Sequence, residues 1–163
     1  ARRVVSLLND IFGRFDKQAA MFQVEKIKTI GDSYMAVSGL LDLTPDHAER
    51  AVRMALATIV EIRRFNVENK FNLNARVGIN SGPVIGGIIG ESRFMYDMWG
   101  DTVNVASRME SEGITGKIQL SEATYDLVKL IPDLKFTSRG EVEIKGKGNM
   151  KTWLVEPDTT AMD

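Results

Sequence analysis

The stretch SRFMYDMWGDTVNVASRMES, residues 92–111, runs from an apolar-rich segment through a Gly-Asp break into a helical pattern. Phe94 to Trp99 reads as a strand and Asp101 fits the N-cap position, with the helix predicted from Thr102 to about Ser111. Asn104 and Arg108 then project from one face. Val103, Ala106 and Met109 can turn toward a core, which leaves the polar pair for a cleft. A planar, always-charged guanidinium beside an amide suits a phosphate and the sugar attached to it. Spacing alone leaves a solvated helix face as the other reading.

Working outward, Asn74 to Asn80 alternates as a strand, Ser81-Gly82-Pro83 is a turn, and Val84 to Ile89 is a second strand. Gly86, Gly87 and Gly90 suggest a backbone approached closely by another chain or element. After the central helix, Lys117 to Leu120 is a short strand and Ser121 caps a helix to about Leu130. Leu134 to Val155 reads as a strand, a hairpin around Gly146–Gly148 and a closing strand. On the other side, Val4, Leu7, Leu8, Ile11, Phe12 and Phe15 give an opening helix by their spacing. Val24 to Lys28 and Ser33 to Ser38 are strands joined at Gly31-Asp32, a hairpin signal. Thr44-Pro45-Asp46 starts a helix, with a hydroxyl cap and proline at the first helical position, that runs to about Asn69. This mixture predicts an α+β fold, helices packed on a mostly antiparallel sheet. Ala1 begins inside a helix with no cap before it, and residues 158–163 read as a disordered tail.

The chain has 163 residues, 44% of them hydrophobic and 26% charged, which suits one globular domain burying roughly 70% of its unfolded surface. A net charge of −1 argues against a non-specific nucleic-acid binder. With no cysteine there is neither a disulfide nor a thiolate metal site. The longest apolar runs, MALATIV (54–60) and VIGGIIG (84–90), are too short to span a bilayer.

Three blocks carry a family resemblance. Asp97 to Arg108 resembles D-x-W-G-x-x-V-N-x-A-S-R, the signature of class III nucleotidyl cyclases. EKIKTIGDSYMAVSGL, residues 25–40, resembles the metal-and-base segment of that family, and IKGKGNMKTW, residues 144–153, its C-terminal phosphate-binding hairpin. The blocks stand in the family's order and cover nearly the whole chain. The resemblance implies a ferredoxin-like sandwich over residues 1–157, a cyclase catalytic domain whose first strand would lie before Ala1.

The same resemblance assigns roles. Asp32 is the metal ligand; taken alone, an aspartate beside glycine is more often a turn former. Two Mg²⁺ or Mn²⁺ ions are expected in the complete domain, and the family's other metal aspartate falls upstream of Ala1. Lys28 and Asp97 are the base readers. An ammonium can donate to a ring nitrogen of adenine and a carboxylate can accept from its exocyclic amine, whereas guanine presents the opposite pattern. Arg108 stabilises charge on the α-phosphate, Asn104 orients the ribose and Lys145 holds the outer phosphates. For Lys28 the bland reading is a surface lysine, and for the Lys145–Gly148 stretch a solvated basic turn. His47 reads as a capping or surface residue, Trp99 and Trp153 as packing residues.

The expectation is an adenylyl cyclase domain that makes 3′,5′-cyclic AMP and pyrophosphate from ATP. It acts as a head-to-tail homodimer with two sites shared across the interface, and contacts neither nucleic acid nor membrane itself. Its place is cytoplasmic, on a parent that could be membrane-anchored. A guanylyl cyclase, or a silent nucleotide-binding or dimerisation fragment, remains the alternative.

Overall fold

The computed structural model describes residues 2–40, 45–89 and 95–162. In chain order the elements are α1 (Arg2–Phe22), β1 (Glu25–Ile30), β2 (Ser33–Val37), α2 (His47–Asn69), β3 (Val77–Ile79), β4 (Ile85–Ile89) and β5 (Met95–Trp99). They continue with α3 (Asp101–Ser111), β6 (Ile118–Ser121), α4 (Glu122–Val128), β7 (Leu134–Ile144) and β8 (Gly148–Pro157). The fold is α+β. Its ladders are antiparallel in β1–β2, β6–β8 and β7–β8 and parallel in β3–β6. β4 and β5 pair in a two-stranded sheet. The chain divides into two compact units, Ala1–Leu73 with Gly87–Asp97, and Asn74–Gly86 with Met98–Asp163.

In the first unit, α1 and α2 pack through the apolar faces that their 3.6-residue periodicity creates. Ile11, Phe15 and Ala19 are buried on one side, Val52, Ala55, Ile62 and Phe65 on the other. Burying each large side chain contributes roughly 1.5–3 kcal/mol. Arg14 crosses between the helices, bonding Glu61 at 3.2 Å and Glu68 at 2.6 Å while its guanidinium lies 5.2 Å from the Phe65 ring centre. The opening helix is present as its spacing predicts; of the apolar positions that predict it, Val4 is exposed and Ile11 is the first fully buried one. α1 ends with Gln23 at φ +58°, where Val24 N–H donates to the Ala19 carbonyl at 2.8 Å. Arg50, almost fully buried on α2, donates to the Gln23 carbonyl at 3.1 Å and so locks that exit.

α2 begins two residues later than expected. Its N-cap is Asp46, which makes no side-chain cap bond, and His47 is the first helical residue, so Pro45 stands before the helix rather than in it. Thr44 lies outside the described residues. The β1–β2 hairpin is as predicted: Ile30 pairs with Ser33, and Gly31 at φ +58° supplies the positive dihedral that a two-residue turn requires.

The second unit holds the sheet β3-β6-β8-β7. β3 is confined to three residues of the seven expected, because only Val77–Ile79 find partners on β6, Ile118–Leu120. α3 crosses between those parallel strands and lies on β3 at Gly78. Gly78 has no room for a side chain: a Cβ would stand 2.1 Å from the Glu110 nitrogen. Gly78 is thus a point of close backbone approach. Gly86 is exposed on β4, and Gly90 lies outside the described residues. α3 is capped by Gly100 at φ +117°, not by Asp101, which is its first residue. Ser121 does cap α4, its hydroxyl accepting from Thr124 N–H at 3.3 Å. Where a disordered tail is expected, Thr159–Met162 makes a 3-10 turn, with Asp158 N–H donating to the Asp133 carbonyl at 2.9 Å.

Candidate functional site

α3 and the β7–β8 hairpin build one half of the expected site. Val105 and Met109 are buried against Ile144, with Val142 and Met150 packed around them. Val105, rather than Val103, therefore sets the inward face, and Asn104 and Arg108 are turned to solvent, both exposed. Ile144 pairs with Gly148, leaving Lys145-Gly146-Lys147 as a three-residue tip, with Lys147 N–H donating to the Ile144 carbonyl at 2.9 Å. Gly146 sits at φ +82°, a conformation that side chains avoid. Lys147 is ion-paired with Asp101 at the start of α3, which holds the tip against the helix. Lys145 is exposed and has no ion-pair partner among the described residues.

Arg108 is held loosely. Its Nη2 donates to the Glu143 carbonyl at 3.4 Å and stands 3.6 Å from the Glu112 carboxylate, with the side chain 45% exposed. Such exposed pairs are worth about 0–1 kcal/mol, so an anionic ligand can displace them. Around it is a cleft of about 340 Å³ lined by Arg108, Glu112, Arg139, Glu141, Val142 and Glu143. Only Arg108 among these is legible from the chain itself. Arg139 gives no local signal, since its partners lie 20 and 27 residues away.

A buried polar network fixes the N-terminal end of α3. Asn80 Nδ2 donates to the Thr102 carbonyl at 3.0 Å, Ser121 Oγ donates to Asn80 Oδ1 at 2.6 Å, and the Ser81 and Thr124 hydroxyls share a bond of 2.8 Å. Ser121 and Thr124 are fully buried, so each unmade bond would carry a desolvation cost of about 1–3 kcal/mol. The helix that carries Asn104 is thereby pinned at its start.

Lys28, Asp32 and Asp97 belong to the first unit. Asp32 is exposed at the tip of the β1–β2 hairpin. Lys28 is half-buried and pairs in register with Met35, immediately after a bulge: Lys26 faces Ala36, so Ile27 and Lys28 together face one residue of β2. Bulges re-aim side chains, and this one separates Lys28 from the alternation that its sequence position implies. Lys26 is bound to Asp16 at 3.3 Å, and the Tyr34 hydroxyl donates to the same carboxylate at 2.8 Å. Burial, and then that carboxylate, push the Tyr34 hydroxyl well above the usual tyrosine range. Asp97 is on β5, and its side chain lies outside the described residues.

No group of three or more His, Asp or Glu side chains gathers to hold a metal ion among the described residues. Asp32 offers one carboxylate. That suits a magnesium ion arriving on nucleotide phosphates, which needs only one or two carboxylates and keeps water or phosphate in its other positions. It does not suit a resident ion caged by protein.

Residues 1–157 match the family described as "Adenylate and Guanylate cyclase catalytic domain". The chain belongs to that family. It is a class III nucleotidyl cyclase domain, as the three sequence blocks imply. It is similar to soluble guanylate cyclase 89Da of Drosophila melanogaster, 45% identical over 96% of this chain and 23% of that protein. It is also similar to an adenylate cyclase of Mycobacterium tuberculosis, 39% identical over 98% of this chain and 36% of that protein. The chain thus spans about a third or less of these relatives' length. Among solved structures it is similar to the catalytic core of a rhodopsin-guanylyl cyclase with converted specificity, in complex with ATPαS. There the TM-score is 0.89 and the identity 39%, covering 96% of this cyclase domain and 84% of that chain. No helix among the described residues is long and apolar enough to cross a membrane.

Proposed function

We propose that this domain is an adenylyl cyclase: the ribose 3′ oxygen of ATP attacks the α-phosphorus in line, giving 3′,5′-cyclic AMP and pyrophosphate. The observation that carries the reading is the exposed Asn104–Arg108 face of α3, set beside the hairpin whose tip bears Lys145. As the O3′–P bond forms, the 3′ proton passes to solvent water and the P–O bond to the departing pyrophosphate breaks. Arg108 meets the charge that develops on the α-phosphate, replacing its weak hold on Glu112 and Glu143 with a charge-assisted bond. Asn104 orients the ribose, and Lys145 receives the outer phosphates. A divalent ion, Mg²⁺ or Mn²⁺, would be held in part by Asp32 and would supply charge neutralisation and a more acidic 3′ hydroxyl.

Lys28 and Asp97 select the base. Lysine donates to a ring nitrogen of adenine and aspartate accepts from the exocyclic amine; guanine offers a carbonyl where adenine has that amine. The similarity to guanylate cyclases at up to 45% identity favours a second reading, in which GTP is the substrate. The residue types at 28 and 97 weigh against it. The third reading is a silent nucleotide-binding or dimerisation module.

The site is shared between two copies. In the arrangement that the family resemblance implies, Asp32 of one protomer serves a nucleotide held by Asn104, Arg108 and Lys145 of its partner, and two-fold symmetry gives two equivalent sites. Incubation with ATP or GTP and Mn²⁺, followed by identification of the product, tests the reading. Cyclic AMP with pyrophosphate is expected. Cyclic GMP as the main product reassigns the substrate, and no cyclic nucleotide from either ends the enzyme reading.

A further inference from the structure

Arg108 makes only two weak contacts through its side chain, so its aim is set by the helical turn that carries it. That turn is the last of α3, where backbone carbonyls have no partner within the helix. The carbonyls of Met109 and Glu112, which follow Arg108 in the chain, are both satisfied from outside. Gln119, fully buried on β6, donates through Nε2 to the Met109 carbonyl at 3.0 Å. Arg139 donates to the Glu112 carbonyl and also to Gln119 Oε1. One guanidinium thus holds one carbonyl directly and orients the amide that holds the other.

Arg139 reaches this position because β7 bulges there. Ser138 pairs with Trp153 and Gly140 with Thr152, so Arg139 has no partner of its own on β8. Gly140 takes φ +98°, and the buried Thr152 hydroxyl donates to its carbonyl at 3.0 Å, which fixes the bulge. A cation at the C-terminal end of a helix is also favoured by the helix dipole.

We propose that Arg139 is a positioning residue for Arg108: it fixes the last turn of α3 and so the direction in which Arg108 meets the phosphate. The inference rests on the cyclase reading above. A misplacement of about 1 Å at a reacting centre costs about 10²-fold in rate. Arg139→Ala should therefore lower kcat by about 10- to 100-fold while KM for the nucleotide stays within about twofold.

The test is a double-mutant cycle on the whole chain with Mn²⁺–ATP: kcat and KM for Arg139→Ala, Arg139→Lys, Arg108→Ala and the Arg139→Ala/Arg108→Ala pair. Melting temperature and amide exchange over residues 108–113 are read in parallel. If Arg139 acts through Arg108, its removal costs nothing further once Arg108 is gone. Arg139→Lys keeps the charge on a shorter side chain that does not reach as far toward the two acceptors of Nη1, and should fall between wild type and alanine. Should the alanine variant fail to fold, the lysine variant carries the same cycle. Exchange of the Glu112 and Gly113 amides should rise while the β7–β8 ladder stays protected. Losses that multiply in the double variant, or unchanged exchange over 108–113, would overturn the proposal. A wild-type chain that makes no cyclic nucleotide would count against the cyclase reading instead, and the exchange data would still report whether Arg139 holds α3.

Discussion

Gly78 on β3 lies directly beneath Glu110 of α3: a Cβ added at Gly78 would stand 2.1 Å from the Glu110 backbone nitrogen and 2.7 Å from the Ala106 carbonyl oxygen. The contact is backbone on backbone, so no side-chain rotation can relieve an added methyl. Gly78→Ala must lift α3 from the sheet. Overpacking of this kind costs about 1–3 kcal/mol or more. The helix that it displaces carries both Asn104 and Arg108. Thermal melts with kinetics on the same sample should show lower stability together with lower kcat. A variant with wild-type melting and turnover would contradict the packing described.

The division of residues between protomers predicts complementation. Asp32→Asn and Arg108→Ala homodimers should each be nearly inactive. Mixed after dissociation, they form heterodimers in which one site carries both substitutions and the other carries neither. Random pairing then restores about a quarter of wild-type activity. Asp32 and Arg108 are both exposed, so neither change should lower the melting temperature appreciably. No recovery on mixing would mean that each site is built within one chain.

Base selection is tested by exchanging donor for acceptor. Lys28→Glu supplies an acceptor for the N–H groups of guanine, and Asp97→Asn supplies a donor to its carbonyl. Each well-made base contact is worth about 1–3 kcal/mol of discrimination. The double variant should therefore move the ratio of kcat/KM for ATP over GTP by at least about tenfold toward GTP. An unchanged ratio would remove Lys28 and Asp97 as base readers.

Much of this architecture was legible in the chain because local rules govern it. The Gly31-Asp32 turn, the Ser121 cap and the existence of a hairpin around Gly146–Gly148 each depend on residues adjacent in sequence. The misread features depend on distant partners. Gly78 looks like any strand residue until α3 is laid across it. The bulge at Ile27 leaves no residue signature, since two residues oppose one only once β2 is in register. Asp101 satisfies the N-cap preference, but Gly100 takes the cap with a positive φ, and Lys147 claims the carboxylate instead. Arg139 and Gln119 were invisible for the same reason, their bonds to α3 being made in three dimensions only.

Tyr34 predicts a pH dependence. Burial and the bond to Asp16 raise its folded-state pKa above that of the unfolded chain. The sign follows: its contribution is fully present below the ordinary tyrosine pKa of about 10 and is lost as pH rises above it. Tyr34→Phe should cost about 1.5–3 kcal/mol near pH 8, the worth of one hydrogen bond to a charged group. Urea titrations from pH 8 to about 11 should then show the gap between wild type and variant closing. A gap that stays constant across that range would show that Tyr34 ionises as readily folded as unfolded.

The central claim is tested most directly by cyclic AMP formation from Mn²⁺–ATP, with GTP run in parallel, across a range of protein concentrations. The account predicts cyclic AMP as the main product, at a rate per milligram that climbs with concentration until the dimer is saturated. Cyclic GMP in preference to cyclic AMP, or a specific activity independent of concentration down to the monomer, would contradict it.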